Sequence, residues 1–209
     1  MGRPPKGEEN SCAILLAAGS GSRFRASPTT AGPDGPASPT HKLQALLRGR
    51  PVYRWALDAV LEAGLDHVVV VTGAAELDLP HTVHRVHNPR WAEGQATSLQ
   101  VGLAEAQRLG ADAVVVCLGD QPFITPTAWR AVAASPSAIA VATYSGVRGN
   151  PVLLRRTIWS LLPTAGDQGA RSLMALRPEL VADVACDGSP ADIDTMEDLQ
   201  QWNSSTNSP

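Results

Sequence analysis

The chain has 209 residues, of which 44% are hydrophobic and 18% charged, and it carries a formal net charge of −3. These values suit one globular domain with a sizeable core. They exclude the basic footprint of a nucleic-acid binder, and no apolar run approaches the roughly 20 residues of a membrane span.

The opening, residues 1–11, is polar, contains Pro and Gly, and lacks the apolar stretch of a signal peptide. It is expected to be a disordered tail on a cytoplasmic protein. The first apolar run, Cys12 to Ala17, predicts a strand that stops in Gly19-Ser20-Gly21-Ser22. The stretch 26–40 is rich in Pro, Gly, Ser, Thr and Ala and predicts a surface loop. From Val52 to Ala63 the apolar spacing is helical, with Pro51 and Gly64 at its ends. Val68 to Val71 predicts a buried strand, and Thr82 to Val86 another. Gln95 to Arg108 predicts a helix, Ala113 to Leu118 a buried strand, Thr125 to Ala134 a helix, and Ile139 to Thr143 a strand. In the last third, Gly149-Asn150-Pro151 reads as a turn, Ile158 to Leu162 and Ala170 to Leu176 as helices, and Val181 to Ala185 as a strand. A short helix, Met196 to Trp202, follows Thr195 or Asp194 as cap, and 203–209 is expected to fray.

Strand and helix alternate, which predicts a three-layer α/β/α domain over 12–202 with a mostly parallel, Rossmann-like sheet. Ligands in such sheets bind beyond the carboxyl ends of the strands. The turn after Ala17 and Gly119-Asp120-Gln121-Pro122 after Leu118 both fall there. The three cysteines, Cys12, Cys117 and Cys186, have neither metal-ligand nor redox spacing, and Cys12 and Cys117 read as buried hydrophobes.

Small residues in Leu16-Ala17-Ala18-Gly19-Ser20-Gly21-Ser22-Arg23-Phe24 let successive N–H groups surround an anion, and Arg23 adds a multi-donor cation. By itself such a turn is equally an ordinary strand-to-helix link. A P-loop is excluded because no Gly-Lys-Ser/Thr occurs, and a dinucleotide fingerprint because Phe24 holds the third glycine position. Asp120 at a strand end is placed to hold a hard cation or simply to form a turn before Pro122. Asp192-Ile193-Asp194 offers a further ligand or a helix cap. His81, His84 and His87 alternate across a strand and do not converge on a metal. Glu76, Asp78, Arg155 and Arg156 read as solvated surface. Arg171, beside a helix start in Gly-Asp-Gln-Gly-Ala-Arg, suits an anion.

Seven segments in order, LAAGSGSRF, HKL, NPRWAEGQATSL, GDQP, GNPVLL, GDQGAR and DIDTMEDL, make the chain resemble the molybdenum-cofactor nucleotidyltransferases, above all the cytidylyltransferases. The resemblance implies a GT-A-like nucleotidyltransferase fold and transfer of CMP from CTP, or of another nucleoside monophosphate, to molybdopterin with release of pyrophosphate. It implies a Mg2+ or Mn2+ ion on Asp120 with Asp194, or else Asp192. Arg23, Lys42 and Asp120 would be catalytic. Leu16, Ala17, Ala18, Gly19, Ser20, Gly21, Arg23, Lys42, Thr72, Gly73, Ser98 and Gly119 would hold the nucleotide, and Gly149, Asn150, Asp167, Gly169 and Arg171 the acceptor. A molybdoenzyme or its chaperone would be the protein partner. Ala18 matches the cytidylyl rather than the guanylyl pattern. The chain departs from the family between Phe24 and Lys42, where Arg25 to His41 intervene. A sugar, polyol or phospholactate acceptor, and a non-catalytic nucleotide-binding protein, are the alternative readings.

Overall fold

A computed structural model describes residues 9–22, 24 and 41–205. Arg23, the 26–40 loop, and the outer parts of both expected tails lie outside the described residues. β1 (Ser11–Ala17), β4 (His67–Thr72), β5 (His84–His87) and β6 (Ala113–Leu118) run parallel. They continue through β8 (Val147–Arg155), β7 (Ile139–Tyr144) and β9 (Val181–Ala185) into a seven-stranded sheet of order β5-β4-β1-β6-β8-β7-β9. Only β8 opposes its neighbours among these pairings. A small hairpin, β2 (Leu46–Leu47) with β3 (Arg50–Pro51), stands apart.

The central strands are apolar throughout because both faces are covered. Alternate side chains of β1 enter opposite cores. Ala13, Leu15 and Ala17 pack with α1 (Val52–Ala63) and α3 (Pro126–Ala133). Cys12, Ile14 and Leu16 pack with α2 (Gln95–Arg108) and α4 (Arg171–Leu176). The fully buried Trp129 fixes α3, and Thr125 caps it by accepting from the Ala128 N–H. A third cluster joins Phe24, Leu47, Phe123 and Ile193 to α5 (Met196–Ser204), where the Phe123 and Trp202 rings lie 4.0 Å apart. It clamps the carboxyl end of β6 to the acidic segment before α5. The three-layer, mostly parallel α/β architecture is the expected one.

Four expectations change. Gly149-Asn150-Pro151 is not a turn; it lies within β8, where the register against β7 shifts between Val141 and Ala142. A bulge accommodates proline in a strand because the ladder is already interrupted there. The helix expected over Ile158 to Leu162 is a 3-10 segment, Arg156–Leu161. The tail boundaries move, since Ser11 opens β1 with its N–H on Asp66, and Asn203 and Ser204 extend α5. Arg155 is not solvated surface; its guanidinium donates to the Ser137 and Ser135 carbonyls at 3.0 and 2.8 Å.

Cys12 and Cys117 are buried, and burial raises both thiols, Cys12 to about 12 and Cys117 further. Cys186 is partly exposed. Titration of the native protein with an aromatic disulfide at pH 8 is therefore expected to modify Cys186 at most. All three thiols react in denaturant; rapid native reaction of a second would contradict this packing.

Candidate active site

The polypeptide leaves β1 as a tight turn whose Ala18, Gly19, Ser20, Gly21 and Ser22 form one wall of a cleft of about 420 Å³. Leu16 and Ala17 line it from the strand end. The turn is supported from behind. Ala74 N–H donates to the Ala18 carbonyl at 3.1 Å, and a Cβ on Gly73 would stand 2.5 Å from that same oxygen. Glycine therefore permits the turn after β4 to press on the turn after β1. Gly119 N–H donates to the Leu16 carbonyl at 2.8 Å. Gly73 and Gly119 thus back the cleft wall, while Thr72 bonds toward β5, its hydroxyl donating to the Val86 carbonyl and its carbonyl accepting from the Asn88 N–H.

His41, the first residue of the HKL segment, to which the sequence assigns no role, returns the chain to the site. Its Nδ1 accepts from the Leu43 N–H at 3.2 Å, so Nε2 carries the proton and donates to the Gly19 carbonyl at 2.8 Å. The imidazole staples the turn after β1 to the 3-10 turn Lys42–Gln44. Lys42 is thereby placed on the floor despite the long intervening segment. The signal in the sequence is the HKL segment, which puts a histidine directly before the lysine.

On that floor the Lys42 ammonium donates to Asp120 Oδ2 and, at 2.6 Å, to Asp194 Oδ1. Burial alone pulls the Lys42 pKa down, but the charges and hydrogen bonds of Asp120 and Asp194 outweigh it, and the net shift is upward. Asp194 is fixed through its backbone. Its N–H and that of Thr195 donate to Asp198 Oδ2, while the Ile193 N–H donates to the Asp120 carbonyl at 3.0 Å. The Thr195–Asp198 capping box of α5 therefore also orients the acidic segment. Asp192 stands at the rim, where partial desolvation, then the charges of Asp194 and Asp120, raise its carboxyl above the usual range.

The opposite wall carries Trp91, Gly94, Gln95 and Ser98. Gly94 has φ +108°, and a Cβ there would meet the Gly166 carbonyl at 2.6 Å. The Gly166 oxygen accepts from the Ala96 N–H at 2.9 Å. This close approach lays the Gly166–Gln168 loop across the start of α2. Asp167 then lines the first cleft and Gln168 a second one, of about 480 Å³. Leu16 and Gln95 belong to both clefts. The second holds Gly149, Asn150 and Arg171 together with Gln121, Arg148 and Asp192, over an apolar floor. Asp167, expected with the acceptor group, lines the first cleft, because the loop crosses between the two. Gly169 is buried against the Gln95 side chain and lines neither.

Asp120 Oδ1 is buried with no hydrogen-bond partner, an acceptor position that a hard cation suits. Among the described residues no group of three or more His, Cys, Asp or Glu is arranged to hold a metal. One or two carboxylates are nevertheless what Mg2+ uses when substrate phosphates and waters complete its shell. Asp120 and Asp194 therefore fit a divalent ion of that kind.

Residues 13–184 match the model of the MobA-like NTP transferase domain. The chain is 30% identical over 175 residues to the purine catabolism protein PucB of Bacillus subtilis, covering 76% of this chain and 85% of PucB. It is 40% identical over 117 residues to the bifunctional enzyme IspD/IspF of Caulobacter vibrioides, covering 54% of this chain and 28% of that enzyme. The crystal structure of Rv0371c from Mycobacterium tuberculosis in complex with manganese superimposes with a TM-score of 0.72 at 26% identity, covering 94% of this chain and all (100%) of that one. With the strand order, the turn after β1 and the acidic floor already in place, these similarities show that the chain belongs to the MobA-like NTP transferase family.

Proposed function

We propose that the protein transfers a nucleoside monophosphate, CMP from CTP as first choice, to molybdopterin and releases pyrophosphate. One observation carries this reading. The two clefts meet at Leu16 and Gln95, and the acidic segment gives Asp194 to the first and Asp192 to the second. A triphosphate in the first cleft would set its α-phosphorus near the junction, facing an acceptor phosphate in the second.

In this reading the backbone from Ala18 to Gly21 surrounds the triphosphate, with Lys42 and Arg23 as cations and Ser98 at the base end. Gly149, Asn150 and Arg171 orient the acceptor. A divalent ion on Asp120 and Asp194 would neutralise charge that builds on the phosphoryl oxygens. The acceptor phosphate oxygen attacks the α-phosphorus, the bond to the bridging oxygen breaks, and pyrophosphate leaves with the electron pair. A phosphate monoester is already ionised near neutral pH, with a second pKa of about 6, so no protein base is required. Positioned charge does most of the work. The matches to IspD/IspF and to a GlmU protein of Zymomonas mobilis favour a second reading, in which the acceptor is another phosphorylated small molecule. These matches span about a quarter of each relative, 28% and 25%.

Pyrophosphate release, measured with each ribonucleoside triphosphate and with or without molybdopterin, tests the proposal. Release only with CTP and the pterin is expected, and Asp120→Asn lowers it by about 10³-fold or more without unfolding the protein. Release with CTP and a sugar or polyol phosphate, but not the pterin, selects the second reading.

Lys42 supplies the counter-charge of the acidic floor, with its side chain 14% exposed. Lys42→Met leaves two carboxylates facing each other and is expected to cost about 3 kcal/mol in unfolding free energy. Mn2+ then raises the melting temperature of the variant more than that of the wild type. Equal metal responses would show that Lys42 and the ion do not share the carboxylates.

A further inference from the structure

Asn88 is 1% exposed, follows β5, and reaches neither cleft, yet its amide touches the first cleft's wall through an ordered relay. Its Oδ1 accepts from the Arg90 N–H at 2.9 Å. A backbone N–H can only donate, so this bond fixes which end of the amide is oxygen. The Nδ2 end must then face α2, where it donates to Thr97 Oγ1 and to Ser98 Oγ, both at 2.9 Å. Thr97 spends its own proton on a carbonyl, with the Gly94 and Arg90 oxygens at 2.9 and 3.0 Å. Ser98 is 4% exposed, lines the cleft, and its hydroxyl proton meets no acceptor among the described residues.

We infer that Asn88 is a positioning residue that determines base selectivity by occupying a lone pair of the Ser98 hydroxyl, which leaves that hydroxyl its proton to donate into the cleft. The inference rests on the nucleotide reading of the first cleft. There the triphosphate end is the turn after β1 and the base end lies among Trp91, Gly94 and Ser98. A donor in that wall selects a base by a ring carbonyl or an unprotonated ring nitrogen. Cytosine presents both side by side. An exocyclic amine at the same place would leave two donors opposed, one of them buried and unpaired.

Asn88→Asp tests this with almost no change of shape. One carboxylate oxygen still accepts from the Arg90 N–H, while the other takes the Ser98 proton, so Ser98 then offers only lone pairs. Dissociation constants for the four ribonucleoside triphosphates with magnesium, by titration calorimetry, provide the readout. Asn88→Asp and Ser98→Ala are each expected to weaken the triphosphate that the wild type binds best by about tenfold, and the others by less than about twofold. Asn88→Ala, which frees the hydroxyl to rotate, weakens it by about threefold, and the double variant is no weaker than either strong single one. In turnover the loss lies in KM, with kcat within about twofold.

Equal weakening of all four triphosphates by the Asn88 variants would mean that Asn88 only holds the wall together, and would overturn the inference. So would an additive double variant. If Asn88→Asp does not fold, Asn88→Ala decides the matter: unchanged preference among the triphosphates overturns the inference, and a narrowed preference supports it. A wild type that binds no triphosphate defeats the nucleotide reading itself, and is distinguished because the failure precedes any substitution.

Discussion

The contact of Lys42 with Asp120 and Asp194 is the interaction on which the rest of the site depends, because it joins three segments remote in sequence at the carboxyl edge of the sheet. Carboxylates so placed repel one another, and their side chains are only 13% and 20% exposed. The fold therefore supplies both a counter-charge and rigid mounts. Lys42 comes from a turn stapled by His41, Asp120 from the end of β6, and Asp194 from a segment tied to the cap of α5. The aromatic packing of Phe123 on Trp202 closes this arrangement from below. An acidic floor held by a tethered cation is pre-formed without being self-repelling, and a stronger cation with more ligands can replace the tether.

Much of the fold was legible because buried parallel strands and amphipathic helices write their periods directly into the chain. Val52–Ala63, Gln95–Arg108 and Ala113–Leu118 have in the structure the limits that the apolar spacing predicts. β8 was not legible from Gly149 to Pro151. Local propensity there favours a turn, and only the pairing of β8 with both β6 and β7 makes an extended strand with a bulge the better solution. Arg155 misled for a related reason. Arginine reads as solvated from sequence, but at the end of a strand its guanidinium can satisfy carbonyls of an adjacent loop, here those of Ser135 and Ser137.

The site divides along the same line. The turn after β1, Asp120 and Asp194 could be named as candidates from the sequence, because two of them follow strand ends and the third precedes a helix, although each also had an ordinary structural reading. Lys42 was legible only through the order of the motifs, since its distance from the turn obscures the pairing. Gly73 and Gly119 lie behind the wall of the first cleft, a depth that one-dimensional spacing does not encode. His41 and Asn88 open the HKL and NPRWAEGQATSL segments, but the sequence does not give their roles, because their importance lies in the groups they bond. Neither a histidine before a lysine nor an asparagine before a proline points to a particular partner.

Both clefts acquire their polarity from the outside inward. In the second, the Pro190 carbonyl can only accept, so the Gln121 side chain points Nε2 at it, at 2.9 Å. Gln121 Oε1 then faces Asn150, whose Nδ2 donates to it at 2.7 Å, while the Asn150 backbone carbonyl accepts from the Tyr144 hydroxyl at 2.7 Å. Side-chain amides can present either end, but Asn88 and Gln121 are each locked by a backbone group that cannot reverse its role, and Gln121 in turn sets the Asn150 amide. The orientation of the cleft-lining groups is thus decided before any ligand arrives. A ligand then meets fixed donors and acceptors instead of reorganising them, and the cost of ordering the wall falls on folding and not on binding. The buried amides are for this reason as much a part of recognition as the residues that touch solvent. Gln121 adds a mechanical consequence: it belongs to the loop that carries Asp120 and also holds Asn150, so the acidic floor and the second cleft are parts of one hydrogen-bonded unit.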